Sequence, residues 1–177
     1  MSARPVTVLY DAETIARRVE VLAGEIAAAM GSDIMVVAVL KGSFIFTADL
    51  LRALHRAGVR PRIDFMTLSS YGTGTVSSGR VSIVRDISDS IEGRPVLLVD
   101  DILESGRTLG HARSVLAKRG PREVKLCILL EKPGKRKTEV EADFVGFTCP
   151  DRFVVGYGLD YSHYYRELPY IGYLEQA

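Results

Sequence analysis

The sequence predicts an α/β fold, a central and mostly parallel sheet flanked by helices, on three observations. Residues 34–40 (I-M-V-V-A-V-L), 96–99 (V-L-L-V) and 124–130 (V-K-L-C-I-L-L) are apolar runs with little or no alternation. Strands buried on both faces of a parallel sheet read this way, because each face packs on a layer of helices. Twice, such a run leads through a short polar turn into helix-periodic sequence, which sets parallel strands side by side. In sheets of this kind ligands bind outside the carboxyl ends of the strands, so chemistry is expected at the turns that follow the runs.

A chain of 177 residues can bury a full core, and residues 1–177 are expected to form a single domain. Its 47% hydrophobic and 25% charged residues are ordinary for a globular protein. A net charge of +1 gives no bulk attraction to nucleic acid or to a membrane surface, and neither is expected as a partner. Cys127 and Cys149 lie in apolar surroundings without C-x-x-C or His spacing, and read as buried thiols of a reducing compartment. Residues 1–7 carry no apolar signal core, and the run 34–40 is too short to span a bilayer. The expected location is the cytoplasm.

Taken in order, Asp11 caps a helix whose apolar residues Ile15, Val19, Leu22, Ala23, Ile26 and Met30 recur at three- and four-residue spacing, with Gly31 as its stop. The strand at 34–40 ends in Lys41, Gly42 and Ser43, and residues 44–55 form a second helix closed by Gly58. A lysine at such an edge is ordinarily a solvated turn residue. Residues 62–70 alternate imperfectly, Ile63, Phe65 and Thr67 against Asp64, Met66 and Leu68, and read as a strand. Residues 70–79, S-Y-G-T-G-T-V-S-S-G, are the richest in Gly, Ser and Thr. A loop of that length within a compact domain is disordered or a functional lid, the plain alternative being a long hairpin. Residues 81–85 return as a strand, and 86–93 are a polar connection.

The most chemistry lies in residues 96–109, V-L-L-V-D-D-I-L-E-S-G-R-T-L. The strand is expected to end at two adjacent carboxylates, Asp100 and Asp101, with Glu104 beyond them. Ser105, Gly106, Arg107 and Thr108 then open a helix over 106–119 that buries Leu109, Val115 and Leu116. The first N–H groups of a helix lack internal partners and carry partial positive charge, so they hold a phosphate well. Gly106 admits a close approach, while Ser105 and Thr108 add hydroxyl donors. The loop is neither a Walker loop nor a dinucleotide fingerprint. Carboxylates just upstream of a phosphate cradle suit a substrate with a phosphate at one end and hydroxyls or Mg²⁺ at the other.

Beyond the stop at Gly120-Pro121, the strand 124–130 closes at Glu131 and Lys132. The basic run K-P-G-K-R-K at 132–137 reads as a solvated loop for Lys135, Arg136 and Lys137. Residues 144–147 and 153–157 are short strand-like pieces with a turn at Cys149-Pro150-Asp151 between them. His55, His111 and His163 share no metal-ligand spacing and read as surface or packing residues.

V-L-L-V-D-D-I-L-E-S-G-R-T-L resembles the phosphoribosyl-diphosphate (PRPP) motif of the type I phosphoribosyltransferases. L-K-G at 40–42, S-Y-G at 70–72, P-D-R-F-V-V-G-Y-G-L-D-Y at 150–161 and Y-Y-R-E-L at 164–168 are similar to segments of their hypoxanthine(-guanine) branch. The resemblance implies the type I phosphoribosyltransferase fold, with a core of about residues 30–150. A small hood subdomain would come from the N-terminal segment and about 151–177, and a flexible active-site loop would carry Ser70 and Tyr71. It implies that Asp100 and Asp101 contact ribose hydroxyls, directly or through Mg²⁺, and that Ser105, Gly106, Arg107 and Thr108 bind the 5′-phosphate. Lys41 and Gly42 match a turn that contacts pyrophosphate after a non-proline cis peptide, and Arg166 matches a pyrophosphate arginine. Phe153 matches the residue that stacks on the purine, Val154 holds the ring edge through its backbone, and Lys132 matches a lysine on the 6-oxo group. Asp160 matches a magnesium contact at the base end, which makes Asp100, Asp101 and Asp160 the implied metal ligands.

The implied reaction is displacement of pyrophosphate from C1 of PRPP by N9 of hypoxanthine or guanine, giving IMP or GMP, with Mg²⁺ as cofactor in a homodimer or homotetramer. Cleavage at an anomeric carbon develops positive charge on the ribose. The protein must then position both substrates, neutralise the leaving group and exclude water, the last through the Ser70-Tyr71 loop. Glu104 departs from the relatives, which mostly carry an aspartate credited with taking a proton from the purine or hydrogen-bonding N7. It keeps the carboxylate, adds one methylene, and remains the expected general base. A xanthine-preferring enzyme is the alternative; an adenine-specific one is disfavoured, because Lys132 offers a donor where adenine also has one. A nucleotide-binding regulator acting on RNA, as the pyrimidine-attenuation proteins are, wants a basic face that +1 does not supply.

Overall fold

The computed structural model describes residues 5–70 and 81–175. In chain order its elements are β1 (Val6–Tyr10), α1 (Ala12–Met30), β2 (Met35–Leu40), α2 (Phe44–Arg56), β3 (Arg62–Ser70) and β4 (Val81–Arg85). There follow β5 (Pro95–Leu103), α3 (Arg107–Ala117), β6 (Glu123–Glu131), β7 (Phe144–Thr148), β8 (Val154–Val155) and β9 (Ile171–Leu174). α1 starts where Asp11 accepts the Thr14 N–H at 2.7 Å and stops at Gly31, whose φ of +83° suits a residue without a Cβ. Its six apolar-stripe residues are all buried. Among the described residues no helix is long and apolar enough to cross a membrane.

Six strands form the central sheet in the order β4-β3-β2-β5-β6-β7. Every neighbouring pair is parallel apart from β3 and β4, an antiparallel pair at one edge. Successive side chains on a strand point to opposite faces, so an apolar run without alternation feeds two cores at once. Val36, Leu97, Val99, Cys127 and Leu129 pack with α1 and α2, whereas Val37, Val39, Leu98, Leu126 and Ile128 pack with α3. Each fully buried aliphatic side chain contributes about 1.5–3 kcal/mol. On α3 the buried stripe is Leu109, Ala112 and Leu116, and Val115, expected inside, is only half-buried. The helix presents its i, i+3, i+7 row to the sheet, which turns position 115 to the flank.

A second, three-stranded antiparallel sheet, β1-β9-β8, joins the two ends of the chain. β1 and β9 have no counterpart in the sequence reading, since both are short, β1 is half-exposed, and β9 buries only Ile171 and Gly172. β8 is only two residues long where a strand over 153–157 was expected. Gly156 at φ +95° turns the chain there and pairs back to Leu159.

The sequence also misplaces the end of β5. Asp100 and Asp101 lie inside the strand, which continues to Leu103. β6 carries the pairing on to Leu103–Glu131, whereas β2 pairs only as far as Val99 and turns away at Lys41. The two carboxylates therefore sit on an overhang that is paired on one side and open on the other.

Candidate active site

Past the overhang, Gly106 caps α3 in the left-handed region at φ +78°. A Cβ there would come within 3.0 Å of the Thr138 carbonyl oxygen, so both conformation and crowding ask for glycine. The loop is held from behind by residues 136–138. Lys137 and Thr138 donate their N–H groups to the Ser105 carbonyl at 2.8 and 3.2 Å, and the Arg107 N–H reaches Ser105 Oγ at 3.4 Å. A cavity of about 250 Å³ opens over Asp100, Asp101, Ser105, Gly106 and Thr108. Three of the four expected phosphate-end residues, Ser105, Gly106 and Thr108, and the acid pair thus share one concave surface with the N-terminus of an eleven-residue helix, while Arg107 does not line it.

The Leu40–Lys41 peptide is cis, as the resemblance implies. At the next residue, any side chain would have to displace Asp101. A Cβ on Gly42 would fall 1.5 Å from Asp101 Oδ2, and one on Gly158 would fall 2.2 Å from the Gly42 carbonyl oxygen. The Lys41-Gly42 turn is thus pressed between β5 and the segment that follows β8. In that segment Arg166 donates through Nη1 to the Gly158 carbonyl at 2.5 Å and pairs through Nη2 with Asp160 Oδ1 at 2.6 Å. Asp160 Oδ2 accepts the His163 N–H at 2.8 Å. The Tyr157 hydroxyl anchors the segment to α2 by donating to Asp49 Oδ2 at 2.7 Å.

Burial raises the Asp100 carboxyl well above the ordinary carboxylate range, and the neighbouring Asp101 charge pushes it the same way. Burial raises Asp101 as well, while a hydrogen bond with Asp100, backbone N–H groups and, least, the Arg166 guanidinium pull it back. A buried and a half-buried carboxylate side by side, both oxygen donors, fit Mg²⁺, which binds through one or two protein carboxylates and takes its other oxygens from water and substrate phosphates. Among the described residues no group of three or more His, Cys, Asp or Glu is gathered to hold a metal. Asp160, the implied third ligand, has both oxygens engaged by Arg166 and the His163 N–H.

The base end is a cavity of about 710 Å³ that brings Asp101, Glu104, Lys132, Phe153, Val154 and Asp160 together. Lys132 is buried, with its N–H on the Leu103 carbonyl at 3.0 Å and its ammonium 3.8 Å from Glu104 Oε1. Phe153 is 57% exposed, unusual for a phenylalanine, and Tyr161 meets it edge-on with centroids 5.6 Å apart. An aromatic ring left this exposed beside a polar cavity has the chemistry to stack a planar ligand. A separate cavity of about 460 Å³, between α1, α2 and residues 167–169, contains none of these residues. Ser70 ends β3, and Tyr71 with the rest of the expected loop lies outside the described residues.

Two members of the base end were not anticipated. Lys135 and Asp151 line the same cavity, 2.5 Å apart, and Lys135 also lies 3.5 Å from Glu104 Oε1. Arg136 pairs with Glu131 at 2.8 Å and donates to the Glu104 carbonyl at 3.4 Å. The basic run is therefore not a freely solvated loop, because Pro133-Gly134 folds it back over the end of β5. Its only sequence signal is two lysines three apart around a turn pair.

Known proteins place this arrangement. The family model for the phosphoribosyl transferase domain matches residues 5–162. Over 142 residues the chain is 48% identical to the hypoxanthine phosphoribosyltransferase of Escherichia coli strain K12, covering 80% of this chain and 78% of that one. A hypoxanthine phosphoribosyltransferase structure from Staphylococcus aureus superposes with a TM-score of 0.89 at 42% identity, over 96% of this chain and 91% of the other. A hypoxanthine-guanine phosphoribosyltransferase structure from Bacillus anthracis does so with 0.90 at 40% identity, over 98% and 100%. The chain belongs to the phosphoribosyltransferase family and, within it, to the hypoxanthine phosphoribosyltransferases, transferases of purine salvage.

Proposed function

We propose that the chain transfers the 5-phosphoribosyl group of PRPP to N9 of hypoxanthine and guanine, releasing pyrophosphate and forming IMP and GMP in a Mg²⁺-dependent reaction. The observation that carries this reading is the buried Lys132 ammonium 3.8 Å from Glu104 Oε1, in a cavity roofed by an exposed Phe153 and continuous with Asp101. Lysine only donates and a carboxylate only accepts. A 6-oxopurine stacked on Phe153 offers an oxygen to the first and a ring proton to the second, whereas adenine would oppose a donor to Lys132. The B. anthracis neighbour, described as acting on both hypoxanthine and guanine, supports including both bases.

In this reading Ser105, Gly106, Arg107 and Thr108 hold the 5′-phosphate against the start of α3, and Asp100 and Asp101 hold the ribose end. Lys41, Gly42 and Arg166 receive the pyrophosphate as its bond to C1 breaks. Glu104 takes the proton from the base, and Val154 fixes the ring edge through its backbone. The small sheet with residues 151–177 forms the hood over the base, and the Ser70-Tyr71 loop excludes water. Mg²⁺, held by Asp100 and Asp101 with Asp160 beside them, would supply charge neutralisation of the pyrophosphate.

The test offers purified protein PRPP and Mg²⁺ with hypoxanthine, guanine, xanthine, adenine or uracil, and follows nucleotide formation by chromatography. Turnover of hypoxanthine and guanine with adenine and uracil inert is expected. Xanthine as the fastest base would replace the substrate assignment, and no turnover with any base would overturn the activity.

A further inference from the structure

We propose that Lys135, pinned by Asp151, is a positioning residue for the Glu104 carboxylate, an inference that rests on the proton-accepting role given to Glu104 above. A glutamate has one more rotatable bond than an aspartate, and on a loop it samples several rotamers unless something selects one. Here two ammonium groups select it. Lys132 and Lys135, from either side of the Pro133-Gly134 turn, approach the same Oε1 at 3.8 and 3.5 Å. Both lysines draw Oε1 toward the loop after β6, and this fixes how the carboxylate meets the proton of the base.

Lys135 could not hold that place alone, since lysine side chains are long and mobile. The tighter contact is to Asp151, at 2.5 Å. Asp151 belongs to the turn that leads to Phe153, so the same ion pair ties the loop after β6 to the aromatic platform. Both side chains are substantially exposed, at 45% and 66%, and an exposed pair adds little to folding stability. Its consequence is orientation, and that separates a positioning role from a structural one.

The experiment uses the full chain with Lys135→Ala, Lys135→Arg, Asp151→Asn and the double variant Lys135→Ala/Asp151→Asn. Turnover of hypoxanthine, thermal midpoints, and crystal structures of the free parent and Lys135→Ala are compared. Lys135→Ala is expected to lower kcat about ten- to hundredfold, as a misplacement of about 1 Å does, with the KM for PRPP and the melting midpoint unmoved. Lys135→Arg should recover most of the loss. Asp151→Asn should give a smaller loss that disappears in the Lys135→Ala background, as coupled neighbours do. An unchanged kcat in Lys135→Ala, losses that multiply independently, or a Glu104 carboxylate that stays in place would each overturn the proposal. If the parent turns over no base, the activity proposed above falls, and the position of Glu104 in the two crystal structures alone decides the role of Lys135.

Discussion

At the phosphate end, Asp100 and Asp101 ride on a strand whose neighbours Val96 to Val99 are fully buried in the two cores. A Cβ on Gly106 would crowd the Thr138 carbonyl and one on Gly42 would displace the Asp101 side chain, so that end is closely packed around its turns. At the base end, Glu104, Lys132, Lys135 and Asp151 come from three separate stretches of chain, and their side chains pair with one another beside Phe153. The first arrangement tolerates no displacement without disturbing the core. The second can be retuned by single substitutions with little effect on folding. Binding of the common substrate would accordingly be rigid, and the choice of base adjustable.

The largest effect expected from this contrast is on chemistry alone. Glu104→Gln keeps length and shape and removes the acceptor of the base proton, so turnover should fall by about 10² or more. The KM for PRPP should change less than about threefold, because an interaction made in the transition state has been removed rather than one that binds PRPP. Steady-state kinetics with hypoxanthine at several PRPP concentrations reads both numbers. Unchanged turnover would take the proton-transfer role from Glu104.

Gly42→Ala probes the opposite end. The added Cβ would lie 1.5 Å from Asp101 Oδ2 and 2.6 Å from its Cγ, so the Asp101 side chain must be displaced. Overpacking of this kind costs about 1–3 kcal/mol. Spent on the PRPP complex, that is a loss of about ten- to hundredfold in kcat/KM for PRPP. The KM for hypoxanthine should be nearly unaffected. A loss confined to the base would mean that the two ends are not built independently.

The same contrast explains what could be read in advance. The apolar runs of β2, β5 and β6 are legible because burial on both faces removes alternation, which survives any uncertainty about neighbours. The end of β5 is not, because Ile102 and Leu103 become strand only by pairing with Leu130 and Glu131 on β6. β1 and β9 escape for a similar reason, since Val6 finds Leu174 across nearly the whole chain and neither segment has a pattern of its own. Asp100, Asp101, Ser105 and Thr108 form one continuous motif that elementary chemistry marks as a phosphate site. Phe153, Val154, Asp160 and Arg166 were reached through family resemblance, because a lone aromatic or aspartate carries no such mark. Lys135 and Asp151 were missed altogether, as the two positions are sixteen apart in the chain and their side chains meet only after β6 and β7 are laid side by side.

The smallest expected effect is one of stability, and it carries the opposite sign. A carboxyl whose pKa is raised by folding binds more protons in the folded chain than in the unfolded one between the two values. Stability therefore falls as pH climbs from the ordinary carboxylate range through the raised value of Asp100, which burial and the Asp101 charge both push upward. Asp100→Asn carries no charge to bury, and its Oδ1 can still accept the Asp101 N–H that Asp100 accepts at 2.9 Å. In Mg²⁺-free buffer at neutral pH the variant should melt a few degrees higher than the parent. That gap should close as the pH is lowered into the ordinary carboxylate range, where the parent Asp100 is itself protonated. Calorimetry across this window distinguishes the two ends: a parallel measurement on Lys135→Ala should show no such gap at any pH. A lower melting point for Asp100→Asn, or a gap indifferent to pH, would mean that the acid pair is not held against its own repulsion by the surrounding core, and that the phosphate end is no more rigidly imposed than the base end.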